Sequence, residues 1–298
     1  MRLKRRYIAT GLALGFGLAL GFGLALAAAL VSVAGAQDTV VMMPEQSAAK
    51  AKEVIAQSIA AMGGPLYVGV HDTTYEGRLS QFGHSGELNG FEKFLDFEVP
   101  PDKDRQENLP KRNLIEVFNG KEGWLLDRGG VQEEGEDAIE RFALDQKKDL
   151  DNVLRNRIHE KDMSFHYAGP DVVDMKEAEW VELTDSDDRT IRIAFAKGTH
   201  LPVRKIVTVR DPRTRLRTEE IEYYSNYHPI QGVTTPFQIT REKNGIKVYQ
   251  VFFDKISFNT NPAPELFTKQ SLDERWQKVG KSEIKKEERQ KARDNCKN

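Results

Sequence analysis

The segment from Arg215 to Asn259, "RLRTEEIEYYSNYHPIQGVTTPFQITREKNGIKVYQVFFDKISFN", decides the fold class. It contains three runs rich in aromatic and β-branched residues, which are typical of strands, and short polar joins such as "KNG" separate them. Joins this short cannot form parallel crossovers, so the segment predicts an antiparallel meander. Phe237 and Ile239 alternate with polar residues, whereas "VYQVFF" is apolar on both faces, as expected of a strand covered on both sides.

The same strand pattern extends toward the N-terminus, beginning with a run that starts at Leu66. The stretch "FNGKEGW" predicts a hairpin with Asn119 and Gly120 at its turn. A helix is predicted ahead of the strands, from Ser47 to Met62, and Gly63 and Gly64 end it. A second helix is predicted from Glu136 to His159, in the middle of the strands. Its apolar residues form one stripe that should lie on the sheet: Ile139, Phe142, Leu150, Val153, Leu154 and Ile158.

The N-terminus combines the basic stretch "RLKRR" with an apolar run from residue 8 to residue 33, in which "GLALGF" occurs twice. Ala34 and Ala36 follow as the small residues that a signal peptidase requires. These features predict a signal peptide over residues 1–36, cleaved near Ala36, and a periplasmic or exported protein. The run is also long enough to cross a bilayer, so an uncleaved helix that anchors the chain in the inner membrane is the alternative.

The composition favours a mildly acidic exported protein. The chain has 44 Lys and Arg against 46 Asp and Glu, for a formal net charge of −2, and cleavage would remove four cations and no acid. A nucleic-acid partner is therefore disfavoured. Cys296 is the only cysteine, so the fold depends on its core rather than on an internal disulfide. We expect a monomer with a folded domain over residues 37–270 and a charged helical or disordered tail over residues 271–298.

Patterns that indicate catalysis or metal binding are scarce. The six histidines have neither the i, i+4 spacing of helical metal ligands nor cysteine partners. His84 and Ser85 lie in a Gly-rich loop rather than in the G-x-S-x-G turn of a serine hydrolase. The sequence thus predicts a protein that is not an enzyme and has no cofactor and no metal.

A basic hairpin is the one conspicuous charge feature. Between Lys197 and Arg217 the only acidic residue is Asp211. Such a hairpin could dock on an anionic lipid surface or an acidic partner. Alternatively, the cations could protect strand edges from pairing with other chains. The residues predicted to dock are Arg210, Arg213, Arg215 and Arg217.

The order of these elements resembles a known family. A helix ending in "AMGG" is followed by "TTYEGRL", "FNGKEGW", a central helix, "YYSNYHPIQGVTTPFQI" and "VFFDKISFNTNPAPELF". This order is similar to that of the LolA/LolB-like outer-membrane lipoprotein-sorting proteins, over roughly residues 53–267. The resemblance implies an α+β, mainly β fold: a strongly curved antiparallel sheet, or half-open β-barrel, with helices covering its concave face.

In that family a hydrophobic cavity between sheet and helices receives acyl chains of lipoproteins or other lipids. The resemblance therefore implies a periplasmic carrier for a hydrophobic ligand in outer-membrane lipoprotein sorting. The alternatives are an envelope-stress or signalling sensor with a membrane-protein partner and, less favoured, an enzyme acting on lipid or glycan. Strand alternation and the helix stripe predict the residues that line the cavity: Phe142, Leu150, Leu154, Ile193, Phe195, Phe237 and Phe252.

Overall fold

The computed structural model describes residues 42–210 and 217–278. The helices are α1 (Pro44–Ala61), α2 (Pro65–Val68), α3 (Glu136–Lys148), α4 (Leu150–Arg155) and α5 (269–278), with 3₁₀ turns at Arg157–His159 and Pro264–Phe267. The strands are β1 (Thr73–Phe82), β2 (Leu88–Val99), β3 (Lys103–Leu109), β4 (Ile115–Asn119), β5 (Glu122–Asp127), β6 (Gly130–Glu133), β7 (Ser164–Val173), β8 (Lys176–Thr184), β9 (Thr190–Ala196), β10 (Pro202–Arg210), β11 (Arg217–Ile230), β12 (Val233–Lys243) and β13 (Ile246–Phe258).

The predicted first helix forms and ends where expected. Gly63 and Gly64 follow α1 with φ of +126° and +58°, a backbone region that suits glycine and stops the helix. The prediction of a strand from Leu66 onward is wrong at its start. Pro65 instead begins the short helix α2, because the fixed φ of proline suits the first helical position. The strand itself begins at Thr73.

The predicted helix from Glu136 to His159 is divided in the structure. Asp149 has extended backbone angles, φ −57° and ψ 135°, and ends α3. Its side chain accepts a hydrogen bond from the backbone N–H of Asn152, at 2.8 Å, and thereby caps α4. Aspartate is among the preferred N-cap residues, so the sequence restarts the helix here instead of continuing it.

The thirteen strands form one antiparallel sheet that does not close. Their order is β6-β5-β4-β3-β2-β1-β13-β12-β11-β10-β9-β8-β7, so β6 and β7 are the two edges. Every pair of adjacent strands in the sheet is consecutive in sequence except the pair in the middle, where β1 lies next to β13. The predicted meander is therefore confirmed, including the hairpin of β4 and β5, in which Gly120 has φ of +63°.

The main core lies between one face of the sheet and the helices α1, α2 and α4. Val54 of α1, Tyr67 of α2 and Leu154 of α4 are buried in one cluster with side chains of β7 to β13. We call this side of the sheet the α1 face. Residues directly opposite one another on paired strands share a face, so the register extends the α1 face to β2, β3 and β4.

The other side of the sheet carries a second core at the β2 to β6 end, and we call it the α5 face. Leu272 of α5 and Phe267 are buried there against Val117 and Trp124. Arg105 on β3 is also buried, and its guanidinium donates to the carbonyl oxygen of Leu266 at 2.6 Å. The described part of the C-terminal segment is thus packed onto the sheet.

Candidate functional site

A patch of apolar side chains on the α1 face keeps partial solvent exposure where β12, β13, β1 and β2 lie side by side. Leu79 on β1 is paired with Val251 on β13, which is paired with Ile239 on β12. Phe253 stacks on Tyr75, with 4.8 Å between ring centroids. All five side chains are only partly buried, although Tyr75, Ile239 and Phe253 pack against the main core. We call these five residues the apolar wall.

Phe94 on β2 extends the apolar wall, and Gly77 makes room for it. The ring of Phe94 lies edge to face with that of Phe253, at 6.2 Å between centroids. A Cβ atom placed at Gly77 would come within 3.0 Å of this ring and 2.6 Å of the backbone oxygen of Phe252. A larger residue at 77 would therefore displace Phe94 and deform the wall.

Carboxylates occupy the same face of the sheet beyond the apolar wall. The register places Asp96 opposite Tyr75 and Glu98 opposite Asp104, and it aligns Gln106 between Asp96 and Glu116. Their side chains are partly exposed. We call Asp96, Glu98, Asp104 and Glu116 the acidic wall.

Desolvation dominates the electrostatics of the acidic wall. Burial raises the pKa of Asp96 to about 7, and burial together with the neighbouring carboxylates Asp96 and Glu116 raises the pKa of Asp104. The pKa of Glu98 is also raised well above its usual value, first by burial and then by repulsion from Asp149. Groups that are partly exposed and still desolvated are expected deep in a recess. Burial therefore favours the protonated, uncharged form of these carboxyls over the charged form.

The segment of α3 and α4 lies over this part of the sheet. Phe142 of α3 stacks on Phe118 of β4 with 4.4 Å between centroids and 5° between ring planes. At the start of α4, Asp151 accepts a hydrogen bond from the hydroxyl of Tyr67 at 2.8 Å. Burial raises the pKa of Tyr67 far above its usual value, and the nearby Asp151 raises it further, so the phenol stays protonated and keeps donating.

A buried ionic network fastens the junction of α3 and α4 to the sheet. The ammonium of Lys205 donates to the backbone oxygen of Lys148 at 2.6 Å and pairs with Glu222 at 2.6 Å. Glu222 also accepts from Arg241 and from the hydroxyl of Tyr224. Burial alone would raise the pKa of Glu222, but attraction to Lys205 and Arg241 lowers it far below its usual value. The carboxylate therefore remains ionised at every physiological pH.

The structure separates the residues that the sequence assigns to one cavity. Leu150, Leu154, Ile193 and Phe195 are buried in the main core, and Phe237 packs against it partly buried. Phe142 is partly buried and lies with Phe118 instead. Phe252 follows Val251 on β13, points to the α5 face, and has the Arg78 guanidinium 5.9 Å above its ring. A ligand-binding role for these seven residues stays a prediction, and Phe252 does not share the face of the other residues.

Two of the concave features of the described chain are adjacent to the apolar regions of the α1 face. A recess of about 180 Å³ is lined by Glu92, Phe94, Gln106, Asn108, Leu114, Glu116 and Leu125. A groove of about 330 Å³ runs between α1 and the start of β7, and it is lined by Lys52, Ile55, Ala56, Ile59, Ile158, His159 and Phe165. The recess includes Glu116 of the acidic wall and Phe94 beside the apolar wall, and the groove borders the main core.

The basic residues are only partly within the described chain. Arg217 is exposed at the start of β11, and the backbone of Arg210 at the end of β10 is paired with it. Arg213 and Arg215 lie outside the described residues. The docking role of the four arginines stays a prediction.

The acidic wall was not predicted from the sequence, although the sequence carries a signal for it. In "FEKFLDFEV" the acidic residues Glu92, Asp96 and Glu98 occur at even spacing, which places them on one face of a strand. Such a pattern normally indicates a solvent-exposed face, so only the register with β1 and β3 shows that Asp96, Glu98 and Asp104 lie together on the α1 face. In the described chain, no three His, Cys, Asp or Glu side chains are arranged to hold a metal ion.

Comparison with solved structures identifies the class of fold that this architecture defines. A DUF1329 family protein from Desulfovibrio piger aligns with 74% of this chain and 98% of its own, at 13% identity and a TM-score of 0.54. An outer membrane lipoprotein-sorting protein domain from Vibrio parahaemolyticus aligns with 76% of this chain and 99% of its own, at 12% identity and a TM-score of 0.52.

A LolA superfamily protein from Nitrosomonas europaea covers 74% of this chain and 99% of its own, at 11% identity and a TM-score of 0.49. No family profile matches the sequence, and no curated protein is a match. The two structures above 0.5 confirm the resemblance to lipoprotein-sorting proteins at the level of the fold: a mainly antiparallel open sheet with helices.

None of the helices in residues 42–210 and 217–278 combines the length and the apolar character needed to cross a bilayer. The apolar run of residues 8–33, for which a signal peptide or an anchor is predicted, lies outside the described residues.

Proposed function

We propose that the protein binds a hydrophobic ligand, the acyl chains of lipoproteins or another lipid, and carries it in the periplasm for outer-membrane lipoprotein sorting. It acts there without catalysis, after cleavage of the signal peptide near Ala36. The observation that carries this proposal is the apolar wall, because its aromatic and aliphatic side chains stay partly exposed in the middle of the sheet. The fold shared with a lipoprotein-sorting domain supports it.

The apolar wall suits an acyl chain energetically. Each methylene group that leaves water contributes about 0.8 kcal/mol, so even a short stretch of chain would bind firmly. The carboxyls of the acidic wall, whose pKa values burial raises, could hydrogen-bond the polar end of a ligand. In this proposal the sheet curves around the ligand, the helices cover its concave face, and α3 and α4 act as a lid.

A matched pair of substitutions tests the proposal. Leu79→Glu places a carboxylate on the partly exposed apolar wall, and Leu150→Glu places one in the buried core. We expect Leu79→Glu to stay folded and lose uptake of a fluorescent fatty acid, because the wall can be hydrated when it is empty. Leu150→Glu should unfold the protein or destabilise it by about 3–5 kcal/mol, since a core site cannot be hydrated.

Leu88→Glu, at an exposed position near the end of the sheet, controls for the added charge. The proposal fails if the wild-type protein takes up no acyl probe and organic extracts of the gently purified protein contain no lipid by mass spectrometry. Uptake that is unchanged by Leu79→Glu would also contradict a binding site on the apolar wall.

A further inference from the structure

Charged side chains are divided unequally between the two faces of strands β1 to β4. Residues opposite one another on paired strands share a face, so the register assigns each side chain to one side of the sheet. The α1 face of these strands carries five carboxyl groups and no Lys or Arg: Glu92, Asp96, Glu98, Asp104 and Glu116. Every Lys and Arg of the same strands lies on the α5 face: Arg78, Lys93, Lys103 and Arg105. The carboxyls of the α1 face therefore have no cation beside them on these strands.

The cations of α4, β10 and β12 on this side of the sheet have counter-ions of their own. The Arg155 guanidinium of α4 donates to Asp151 at 3.0 Å. Beyond the apolar wall, Lys205 of β10 and Arg241 of β12 both pair with Glu222. Because these three cations are already paired, none of them is free to balance the carboxyls of β2, β3 and β4.

The acidic wall itself shows the effect of the missing counter-charge. Asp104 donates a hydrogen bond to Asp96, while Oδ1 of Asp96 is buried and has no hydrogen-bond partner in the described chain. The pKa of Glu116 is raised by burial and by Glu134, although Arg141 of α3 attracts this carboxylate. A positively charged hydrogen-bond donor placed here would satisfy the unpartnered oxygen and would favour the ionised form of these carboxyls.

The apolar wall continues directly from the acidic wall on the same face. Tyr75 lies opposite Asp96, and Gly77 lies opposite Phe94. The strand order is β2, β1, β13, β12, so β12 lies three strands from β2, which is roughly 14 Å at the usual strand spacing. An extended dodecyl chain spans this distance. One face of the sheet thus presents carboxyls on one side and an apolar surface of matching length on the other.

We propose that the ligand of this face is an amphiphile with a primary ammonium head, which binds the acidic wall at Asp96 and Asp104 while its alkyl chain lies along the apolar wall. The inference rests on the proposed function and specifies the class of its ligand. An ammonium has three N–H donors and no acceptor, so it can donate to Asp96 Oδ1 and supply the positive charge that this face lacks. A carboxylate head would meet groups of like charge there. Removal of the ammonium from water is costly, and the several carboxyls around it offset that cost.

Three ligands that differ only in the head group test this class. Dodecylamine, dodecanol and dodecanoic acid are compared at neutral pH by competition with an uncharged fluorescent alkyl probe. We expect the amine to bind at least about tenfold more tightly than the alcohol, because hydrogen bonds between charged groups are stronger than neutral ones, and dodecanoate to bind more weakly than the alcohol. Equal affinity for the amine and the alcohol overturns the inference and leaves the proposed function intact. Binding of none of the three contradicts both.

A double substitution tests the location of the head group. Asp96→Asn with Asp104→Asn keeps the side-chain shapes and should bind the amine and the alcohol about equally, with the affinity for dodecanol that the wild type has. Glu76→Gln with Glu219→Gln removes two exposed carboxylates that the register places on the α5 face, and it should keep the preference for the amine. Retention of the preference in the first variant, or its loss in the second, contradicts binding at the acidic wall. Unchanged dodecanol affinity distinguishes loss of the head-group site from loss of the fold.

Photoreactive probes test the orientation of the ligand. A dodecylamine with a diazirine next to the nitrogen should label residues of β2 or β3, and one with a diazirine at the far end of the chain should label residues of β12 or β13. Mass spectrometry of the labelled peptides identifies the modified residues. The reverse pattern, or labelling confined to residues of the α5 face, overturns the inference.

Discussion

Replacement of Asp96 by Asn should stabilise the protein at neutral pH and not in acid. Burial raises the pKa of this carboxyl from 3.8 to about 7. Between these values the folded state keeps a proton that the unfolded chain has lost, so the carboxyl lowers the free energy of unfolding as the pH rises. Asn carries no such proton. The side-chain oxygen of Asn can still accept the hydrogen bond that the Asp104 carboxyl donates to position 96, and Asp96 Oδ1 has no hydrogen-bond partner in the described chain to lose.

The magnitude follows from the pKa. A shift of about 3 pKa units at 1.36 kcal/mol each amounts to about 4 kcal/mol, and the partial exposure of Asp96 together with its coupling to Asp104 reduces the expected gain to about 2 kcal/mol. The gain should develop between about pH 4 and pH 7 and stay constant above that window. Below about pH 4 the two proteins should be equally stable, because both states of the wild type are then protonated.

Urea unfolding followed by circular dichroism at a series of pH values measures this difference directly. Glu76→Gln, at an exposed position on β1, controls for the removal of one negative charge. Parallel curves for wild type and Asp96→Asn across the whole window would refute a desolvated carboxyl at position 96. Such parallel curves would also remove the reason to regard the carboxyls of the acidic wall as desolvated.

Three further outcomes are expected. Glu222→Gln should cost about 3–5 kcal/mol in urea unfolding, because it leaves the buried Lys205 ammonium without its counter-ion, and a loss under about 1 kcal/mol would contradict the network. Arg105→Met should free the segment after Phe267, so limited proteolysis should cut there faster than in wild type; equal cutting rates would show that other contacts hold the segment. N-terminal sequencing of the protein from the cell envelope should start at Gln37, whereas Met1 in a membrane pellet would support the uncleaved anchor.

Local sequence rules predicted the strands well, because each strand carries its own pattern. The alternation of Ile191, Ile193 and Phe195 places all three in the main core. The same rules did not predict the division between α3 and α4, because the apolar stripe of a helix is present on both sides of Asp149. A single capping side chain outweighs that stripe, and the capping hydrogen bond is visible only in three dimensions.

The candidate site was less predictable than the fold, because it depends on which strands become neighbours. Leu79 and Val251 are far apart in the chain, and nothing local to either one indicates that they form one apolar surface. Asp96 has the sequence context of a residue on a solvated face, and its raised pKa arises from burial in the folded protein and from the nearby carboxylates of Glu98 and Glu116. Phe252 and Phe253 are a second example: two adjacent phenylalanines on a strand point to opposite faces, and the sequence alone does not show which of the two rings faces the helices.

The pairing of β1 with β13 imposes an order on how the chain can fold. β1 gains β2 as a neighbour as soon as the next hairpin is synthesised, but its other neighbour begins only at Ile246. Until then the half-sheet of β1 to β6 presents a bare central edge that any other strand could join. Buried Asp72, which accepts hydrogen bonds from the backbone N–H groups of Thr260 at 2.7 Å and Asn261 at 3.1 Å, fastens that seam only after the last strand has arrived. A chain shortened before Ile246 should therefore aggregate through β1 rather than survive as a smaller domain.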